Sequence, residues 1–397
     1  MQSSVDDTSH VGGVSIRRAT AVGFLRVSTW EILVSLATLV APVLASISVK
    51  RGKAEQEALT FIEPKVLVTP LLVVIPARNE AERIGDTLDH LLCEPSPHLR
   101  VIVIDDGSTD STAAVVRLRM ERDPRLSLRQ PQAPRPAGWF GKPAALHDAI
   151  GSDEEHELVL CLDADVHLQP GALGGFVGAL DDADALSAMP RLHNVGVVEN
   201  ALVPAFVAAV GVTHPPSEVH NPRSSTAFLN GQVMLLRRSA LDEVGGFAAV
   251  ATTVLEDVAL ARLLKSRGKK LRIVDGRRVC TTRMYTSLDE ILEGFGKNAR
   301  ALHGSELVPL AMVLATVAWL PWLVLALAWL TDGAFDDVMA MGGLEISIVC
   351  AFINRKLLWS PSWLAVLSPI VQAVVAAVYF RAALVRRGSW KGRTFST

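Results

Sequence analysis

Three short stretches place acids where an enzyme would use them. Val103-Ile104-Asp105-Asp106-Gly107-Ser108-Thr109-Asp110 sets two successive acids and a glycine behind an apolar run. Ser108 to Asp110 suit helix capping, because short polar side chains accept bonds from orphan amides. Capping does not explain two adjacent carboxylates, which repel unless a donor-rich ligand or a cation answers them. A carboxylate here can accept from a nucleoside base or a ribose hydroxyl. Leu160-Cys161-Leu162-Asp163-Ala164-Asp165 ends a second apolar run with two acids. On a strand, alternation points Asp163 and Asp165 to one side, where paired carboxylates hold a hard divalent cation through oxygen. Two solvated acids in a turn are the alternative, and His167 either joins them or faces solvent. Val254-Leu255-Glu256-Asp257 opens a stretch with helical spacing at Leu255, Val258, Ala259 and Leu263. Acids in a first turn favour the helix dipole. An adjacent carboxylate also raises its neighbour's pKa, which suits a general base.

Three weaker signals accompany these. Ile75-Pro76-Ala77-Arg78-Asn79-Glu80 is a strand-to-helix turn. Lys142 follows Gly138-Trp139-Phe140-Gly141; glycines allow close backbone approach, and a lysine holds a phosphate as a point charge, although a polar surface loop fits the same residues. Asn230 and Gln232 precede the apolar Val233–Leu236 and read equally as edge-strand polar groups.

Positioning these residues requires a sheet. Val66–Ile75, Val101–Ile104 and Leu158–Leu162 read as buried strands, with helices over Glu80–Leu92 and Ser111–Met120. Strands alternating with helices at this spacing imply an α/β fold with a mainly parallel sheet. Ligands bind beyond the carboxyl ends of such strands, so the polar residues after each strand belong to one site.

The chain of 397 residues is half hydrophobic and only 20% charged. Its mean hydropathy of +0.32 is high for a soluble protein. This excludes disorder and a small disulfide scaffold. A net charge of −2 gives no basic field, so nucleic acid is not an expected partner. The four cysteines are dispersed and read as reduced thiols. Ile32–Val49 is an uncharged stretch of 18 residues followed by Lys50, Arg51 and Lys53. It reads as a membrane anchor that leaves the following block in the cytoplasm, with a secretory signal as the rival. Leu307–Leu330 and Pro361–Phe380 are uncharged over 24 and 20 residues, and Val338–Asn354 lies between them. The chain therefore divides into a polar segment at 1–27, a transmembrane anchor at 28–50, a soluble block at 64–303, a membrane region of two or three helices at 307–385 and a basic tail at 386–397. It is expected as a multi-pass protein of the cell membrane.

Taken in order, Pro76–Glu80, Asp105-Asp106-Gly107-Ser108 with Asp110, Asp163-Ala164-Asp165 and Glu256-Asp257 resemble the family 2 glycosyltransferases, inverting enzymes of GT-A fold. The resemblance covers roughly Val68–Asn298. Gly138–Pro143, Arg283-Met284-Tyr285 with Gly294–Asn298, and Trp390–Arg393 are similar to a membrane-bound subgroup associated with carotenoid and hopanoid glycosylation. The resemblance implies a Rossmann-like, mixed but mainly parallel sheet flanked by transmembrane helices. It implies that Pro76, Arg78 and Glu80 line a nucleotide pocket and that Asp106 binds base or ribose. Asp163 would contact the nucleotide sugar, a UDP-sugar being expected. Asp165 would hold Mg²⁺ or Mn²⁺ on the diphosphate. Asp257 would be the general base, with Glu256 beside it. Asn230, Gln232, Arg283 and Tyr285 fall on the acceptor side.

Processive members of the family carry Gln-x-x-Arg-Trp, and no tryptophan here follows an arginine. Single-sugar transfer is therefore expected over polymer synthesis. Apolar segments on both sides of the block point to a lipid acceptor, a polyisoprenoid, carotenoid or hopanoid. The rivals are a processive polysaccharide synthase and an inactive glycosyltransferase-like binding protein at the membrane.

Overall fold

The apolar runs fall on the strands of one mixed sheet. The structure is a computed structural model that describes residues 59–131, 134–303 and 361–384, with short pieces at 50, 54–55, 307–308, 311–312, 387–390 and 393–396. Nearly all of the expected anchor and the stretch 313–360 lie outside the described residues.

The strands are β1 (Leu71–Ala77), β2 (Leu99–Asp105), β3 (Leu126–Arg129), β4 (Leu158–Leu162), β5 (Val166–Leu168), β6 (Ala185–Met189), β7 (Arg191–Leu192), β8 (Val233–Arg237), β9 (Leu271–Asp275) and β10 (Cys280–Thr282). Seven of them form a sheet in the order β3-β2-β1-β4-β8-β6-β9, and β5-β10-β7 make a smaller one. The first four of the seven pair in parallel. β8 runs antiparallel to β4 and β6. The reversal brings the residues entering β8 to the edge where β1, β2 and β4 end.

The helices are α1 (Ile84–Leu92), α2 (Thr112–Met120), α3 (Gly141–Gly151), α4 (Ala172–Leu180), α5 (Gly196–Thr213), α6 (Pro216–His220), α7 (Arg238–Glu243), α8 (Glu256–Ser266), α9 (Leu288–His303) and α10 (Ser368–Leu384). They cover both faces of the large sheet. Leu71, Val73 and Ile75 pack in one cluster with residues of α1 and α4. Leu72 and Val74 pack in another with α3 and α8. Burial on both faces is why β1 reads as continuously apolar instead of alternating.

That run was expected to start at Val66. The strand starts at Leu71, because β2 offers its first partner there, Leu99. Val66 and Val68 lie ahead of this pairing and are exposed. The helix expected from Glu80 begins at Ile84.

A third cluster lies apart from the sheet. Phe206 of α5, Tyr285, Phe295 of α9 and Tyr379 of α10 pack together, with the Phe206 and Phe295 rings stacked at 4.2 Å. α10 falls in the stretch expected to span a membrane, and it packs against α5 and α9.

Candidate active site

A cleft of about 580 Å³ opens at the carboxyl ends of β1, β2 and β4. Pro76, Arg78, Glu80, Asp106, Lys142, Asp163, Asp165, Asn230, Gln232, Glu256, Asp257 and Tyr285 all line it. Residues more than 200 positions apart thus meet in one site.

Its first wall is a pair of interlaced loops. Gly107 takes φ +74° to turn the chain after β2, a conformation that favours glycine. Asp105 is buried and accepts the Ser108 N–H at 2.8 Å, so it shapes the turn. Asp106 faces the cleft, with Arg135 at 3.4 Å and Arg78 at 4.0 Å. Burial raises its pKa, and Arg135 and Arg78 oppose the rise. The two adjacent acids therefore have separate tasks. Ser108, Asp110 and Thr112 serve the neighbouring loop, and Asp110 also accepts the Thr112 N–H at the start of α2 at 3.0 Å. Ser108 accepts from the Asn79 N–H at 3.0 Å, Thr112 from Glu80 at 2.8 Å and Asp110 from Ala81 at 3.1 Å.

Asp163 and Asp165 lie in the turn after β4 instead of on the strand. Both still reach the cleft, because the turn bends back toward β8, where the Asp163 N–H donates to the Gln232 carbonyl at 3.0 Å. Asp165 is pushed up to about 7 by burial and by the neighbouring charges of Asp163 and Glu80, with Arg83 opposing. His167 turns away and stacks on His90 at 4.8 Å.

The acids at the start of α8 meet the lysine at the start of α3. Lys142 Nζ lies 2.7 Å from Asp163, 3.1 Å from Glu256 and 3.3 Å from the Gly231 carbonyl. Burial pulls this ammonium's pKa down, but Asp163, Glu256 and Asp257 outweigh it and hold the pKa well above the usual lysine value. Asp257 accepts the Gly231 N–H and the Val258 N–H, each at 2.8 Å. Burial and the Glu256 charge raise its pKa to about 6, against Lys142 and the two amides. Gly231 permits the approach. A Cβ there would stand 2.8 Å from Asp257 Oδ2 and 3.1 Å from Lys142 Nζ.

On the far side, Asn230 donates to Gln232 at 3.1 Å, and Gln232 donates to Thr282 at 3.4 Å. Tyr285 packs edge-on against Phe295 at 5.2 Å, and burial raises its pKa. Arg283 departs from expectation. It is absent from the cleft lining, because its guanidinium is drawn to Glu199 of α5 at 2.6 Å. Several lining residues received no role from the sequence: Arg83, Glu290, Glu293 and Lys297. The last three recur at i, i+3 and i+7 on α9, opposite the apolar Ile291, Phe295 and Ala299. That amphipathic spacing was available in the sequence. Burial lowers the Lys297 pKa, with Glu256, Asp257 and Asp163 opposing and Lys142 adding to the fall.

A divalent cation suits this donor set. Asp163 and Asp165 supply hard oxygen; burial is the main cause of the raised pKa of Asp165, and the charges of Asp163 and Glu80 add to it. Among the described residues no group of three or more His, Cys, Asp or Glu is arranged to hold a metal. Two carboxylates suit an ion of the Mg²⁺ type, which binds through one or two carboxylates completed by substrate phosphates and water.

Residues 69–293 match the family model described as Glycosyltransferase like family 2. The succinoglycan biosynthesis protein ExoU of Rhizobium meliloti (strain 1021) is 29% identical over 219 residues, 52% of this chain and 60% of that protein. The poly-beta-1,6-N-acetyl-D-glucosamine synthase of Staphylococcus epidermidis is 25% identical over 190 residues, 46% of this chain and 42% of that protein. The chain thus spans less than two thirds of the length of both relatives. The 4,4'-diaponeurosporenoate glycosyltransferase of Staphylococcus aureus (strain MRSA252) is 23% identical over 341 residues, 82% of this chain and 88% of that protein. Among solved structures, the mannosyltransferase PcManGT of Pyrobaculum calidifontis, in complex with GDP-Man and Mn²⁺, shares the fold at a TM-score of 0.55. It is 21% identical, over 89% of this chain and 96% of that one.

Proposed function

Because this chain belongs to glycosyltransferase family 2, we propose that it moves a single sugar, with inversion, from a nucleotide sugar to a lipid acceptor at the membrane surface. The observation that carries this reading is the single cleft that joins Asp106, the Asp163–Asp165 pair and Asp257.

Asp106, with Arg78 and Glu80, receives the nucleoside of the donor, a UDP-sugar in this reading. Asp163 contacts the sugar, and Lys142 lies within reach of both that carboxylate and the diphosphate. Asp165, with Asp163 beside it, would hold Mg²⁺ or Mn²⁺. Such an ion, when bound, neutralises charge growing on the departing diphosphate. Asp257 accepts the proton of the acceptor hydroxyl as its oxygen attacks the anomeric carbon. One C–O bond forms on the face opposite the one that breaks, and the nucleoside diphosphate leaves with the bonding pair. A base held near pH 6 is largely ionised at neutral pH while staying basic enough to take a proton in the transition state.

The lipid acceptor is favoured by two features. The diaponeurosporenoate glycosyltransferase aligns over 82% of the chain, well beyond the family match. The apolar layer of α5, α9 and α10 adjoins the cleft through α9. A polysaccharide acceptor is the second reading, favoured by the succinoglycan and poly-N-acetylglucosamine relatives. Mass spectrometry of lipids from cells expressing the wild type or Asp257→Asn separates the two. A lipid heavier by one hexose, present with the wild type alone, is expected. A ladder of products supports the polymer reading, and unchanged lipids overturn lipid transfer.

A further inference from the structure

We propose that α5 and α10 form a face that docks on the lipid bilayer, with α5 lying in the membrane plane instead of crossing it. The proposal deepens the reading of the chain as a membrane-surface transferase and rests on it for the partner, but not for the geometry.

By length and composition α5 qualifies as a membrane span, the one helix among the described residues that does. Its connections forbid it. The helix follows β7, which pairs with β10 in the small sheet. It leads into α6, where His220 accepts the Ile273 N–H of β9 at 2.9 Å. β9 in turn pairs with β6, the strand just before β7. Both ends of α5 are therefore docked on one folded unit. A helix that crosses a bilayer puts its ends on opposite sides, and α5 could do so only by tearing that unit apart.

The exposed residues of α5 and α10 are apolar except for Arg381 in the last turn of α10. Twelve of the fifteen exposed large hydrophobic side chains among the described residues belong to α5, α9, α10 or the segments adjoining them. They include Val197, Val198, Val212, Trp363, Val366 and Ile370. The sole charged residue of α5, Glu199, is buried and pairs with Arg283. A helix with an apolar outer side and no exposed charge suits the boundary between headgroups and acyl chains.

The neighbouring chain identifies the occupant as a bilayer. Directly after α9 the sequence enters Leu307–Leu330, 24 residues without a charge, enough to cross a hydrocarbon core. The described chain resumes at Pro361, immediately before α10. The chain between Leu307 and Pro361, which holds this apolar stretch, thus leaves and rejoins the described residues at the same layer. α9 couples the layer to the chemistry: Glu290, Glu293 and Lys297 face the cleft, while Ile291, Phe295 and Ala299 pack in the apolar cluster. Docking this face holds the cleft beside the surface from which a lipid headgroup emerges.

Depth measurements on the full chain test the geometry without turnover. Val198→Cys and Val212→Cys, each with Cys93 and Cys350 replaced by serine, carry an environment-sensitive fluorophore in vesicles of phosphatidylcholine and phosphatidylglycerol. The two labels sit about 21 Å apart along the helix. Native Cys93, exposed just after α1, gives the water reference on the domain's own side when Cys350 alone is replaced. Lipid-borne quenchers should place both labels at one shallow depth, and a water-soluble reductant added on the Cys93 side should reach both. Labels at opposite interfaces, with one reached from each side, would overturn the in-plane geometry. Labels that no lipid quencher reaches would overturn docking itself. Val197→Cys replaces Val198→Cys if that variant folds poorly. Hydrolysis of UDP-glucose in detergent is read in parallel; its loss in the wild type would count against the catalytic reading and leave the depth result standing.

Discussion

The two halves of the cleft are held by different forces. On the donor half, polar groups set the geometry: loops after β1 and β2 are tied through Ser108, Asp110 and Thr112, and Lys142 joins Asp163 to Glu256. On the half proposed for the acceptor, packing is added to the Asn230–Gln232–Thr282 bonds: Tyr285 rests on Phe295, which stacks on Phe206. Directional bonds at short range suit a polar ligand with a constant set of hydrogen-bonding groups, such as the nucleoside diphosphate proposed above. A packed apolar wall backed by long helices suits a partner recognised by its hydrophobic body. Substitutions in the first half should therefore strike chemistry, and those in the second should strike stability or acceptor use.

The largest effect is expected where the halves meet. Asp257→Asn should lower kcat by roughly 10²- to 10⁴-fold, the usual share of general acid–base catalysis. Stability should be retained or rise. The pKa of Asp257 is about 6 when folded, above its ordinary 3.8, so its ionisation opposes folding above that pH and the opposition fades as pH falls through about 6. A thermal melt of the variant at pH 8 checks this. A markedly lower Tm would make Asp257 a structural residue. In the wild type the same ionisation should give kcat/KM an acid limb near pH 6, with activity falling about tenfold for each further unit down. A flat profile to pH 5 would remove Asp257 from the role of base.

Asp165→Asn comes next. Losing one of two oxygen ligands should reduce transfer by about 10²-fold, since a bound cation contributes several kcal/mol to leaving-group stabilisation. Titration of Mn²⁺ should show a right-shifted activation curve. If chelation and this substitution both leave turnover intact, the paired acids do not bind metal.

Gly231→Ala tests how finely the halves are joined. The added methyl would fall 2.8 Å from Asp257 Oδ2, so the base must move. Displacement near 1 Å costs up to about 10²-fold in rate, and a loss of about tenfold to 10²-fold in kcat with an intact fold is expected. Wild-type turnover would show that the base position is soft.

The same contrast explains what the sequence revealed. Asp106, Asp163 and Asp165 were legible because each follows a short apolar run that must end at one edge of a parallel sheet. Asp105 was not separable from Asp106, since which of two adjacent acids turns inward is decided by a loop bond to Ser108. The membrane reading of Pro361–Phe380 rested on the lack of charge, and lack of charge does not distinguish a lipid neighbour from a helix neighbour. α10 has α5 and α9 along one side. Arg283 was assigned to the acceptor side through its neighbours Met284 and Tyr285, which do line the cleft. Its partner Glu199 lies 84 positions away, and no local pattern announces such a pair.

That pair supplies the smallest and most diagnostic test of the comparison. Glu199 is buried at the start of α5, accepts the Val195 N–H at 2.8 Å and holds Arg283. The hydrogen bond to Arg283 pulls its pKa below the usual carboxylate range against the effect of burial, so the pair favours folding above the ordinary glutamate pKa and loses that contribution as pH falls below it. The arginine side chain is 39% exposed, so solvent screens the pair and only about 1 kcal/mol is expected from it. Glu199→Gln keeps the shape and removes the charge. Its Tm should fall by a few degrees at pH 7, and the gap to the wild type should close on acidification. Hydrolysis of the nucleotide sugar should be unchanged, because neither residue touches the donor half. If hydrolysis dropped along with Tm, the start of α5 would be acting on the donor half, and the division between the two halves would fail.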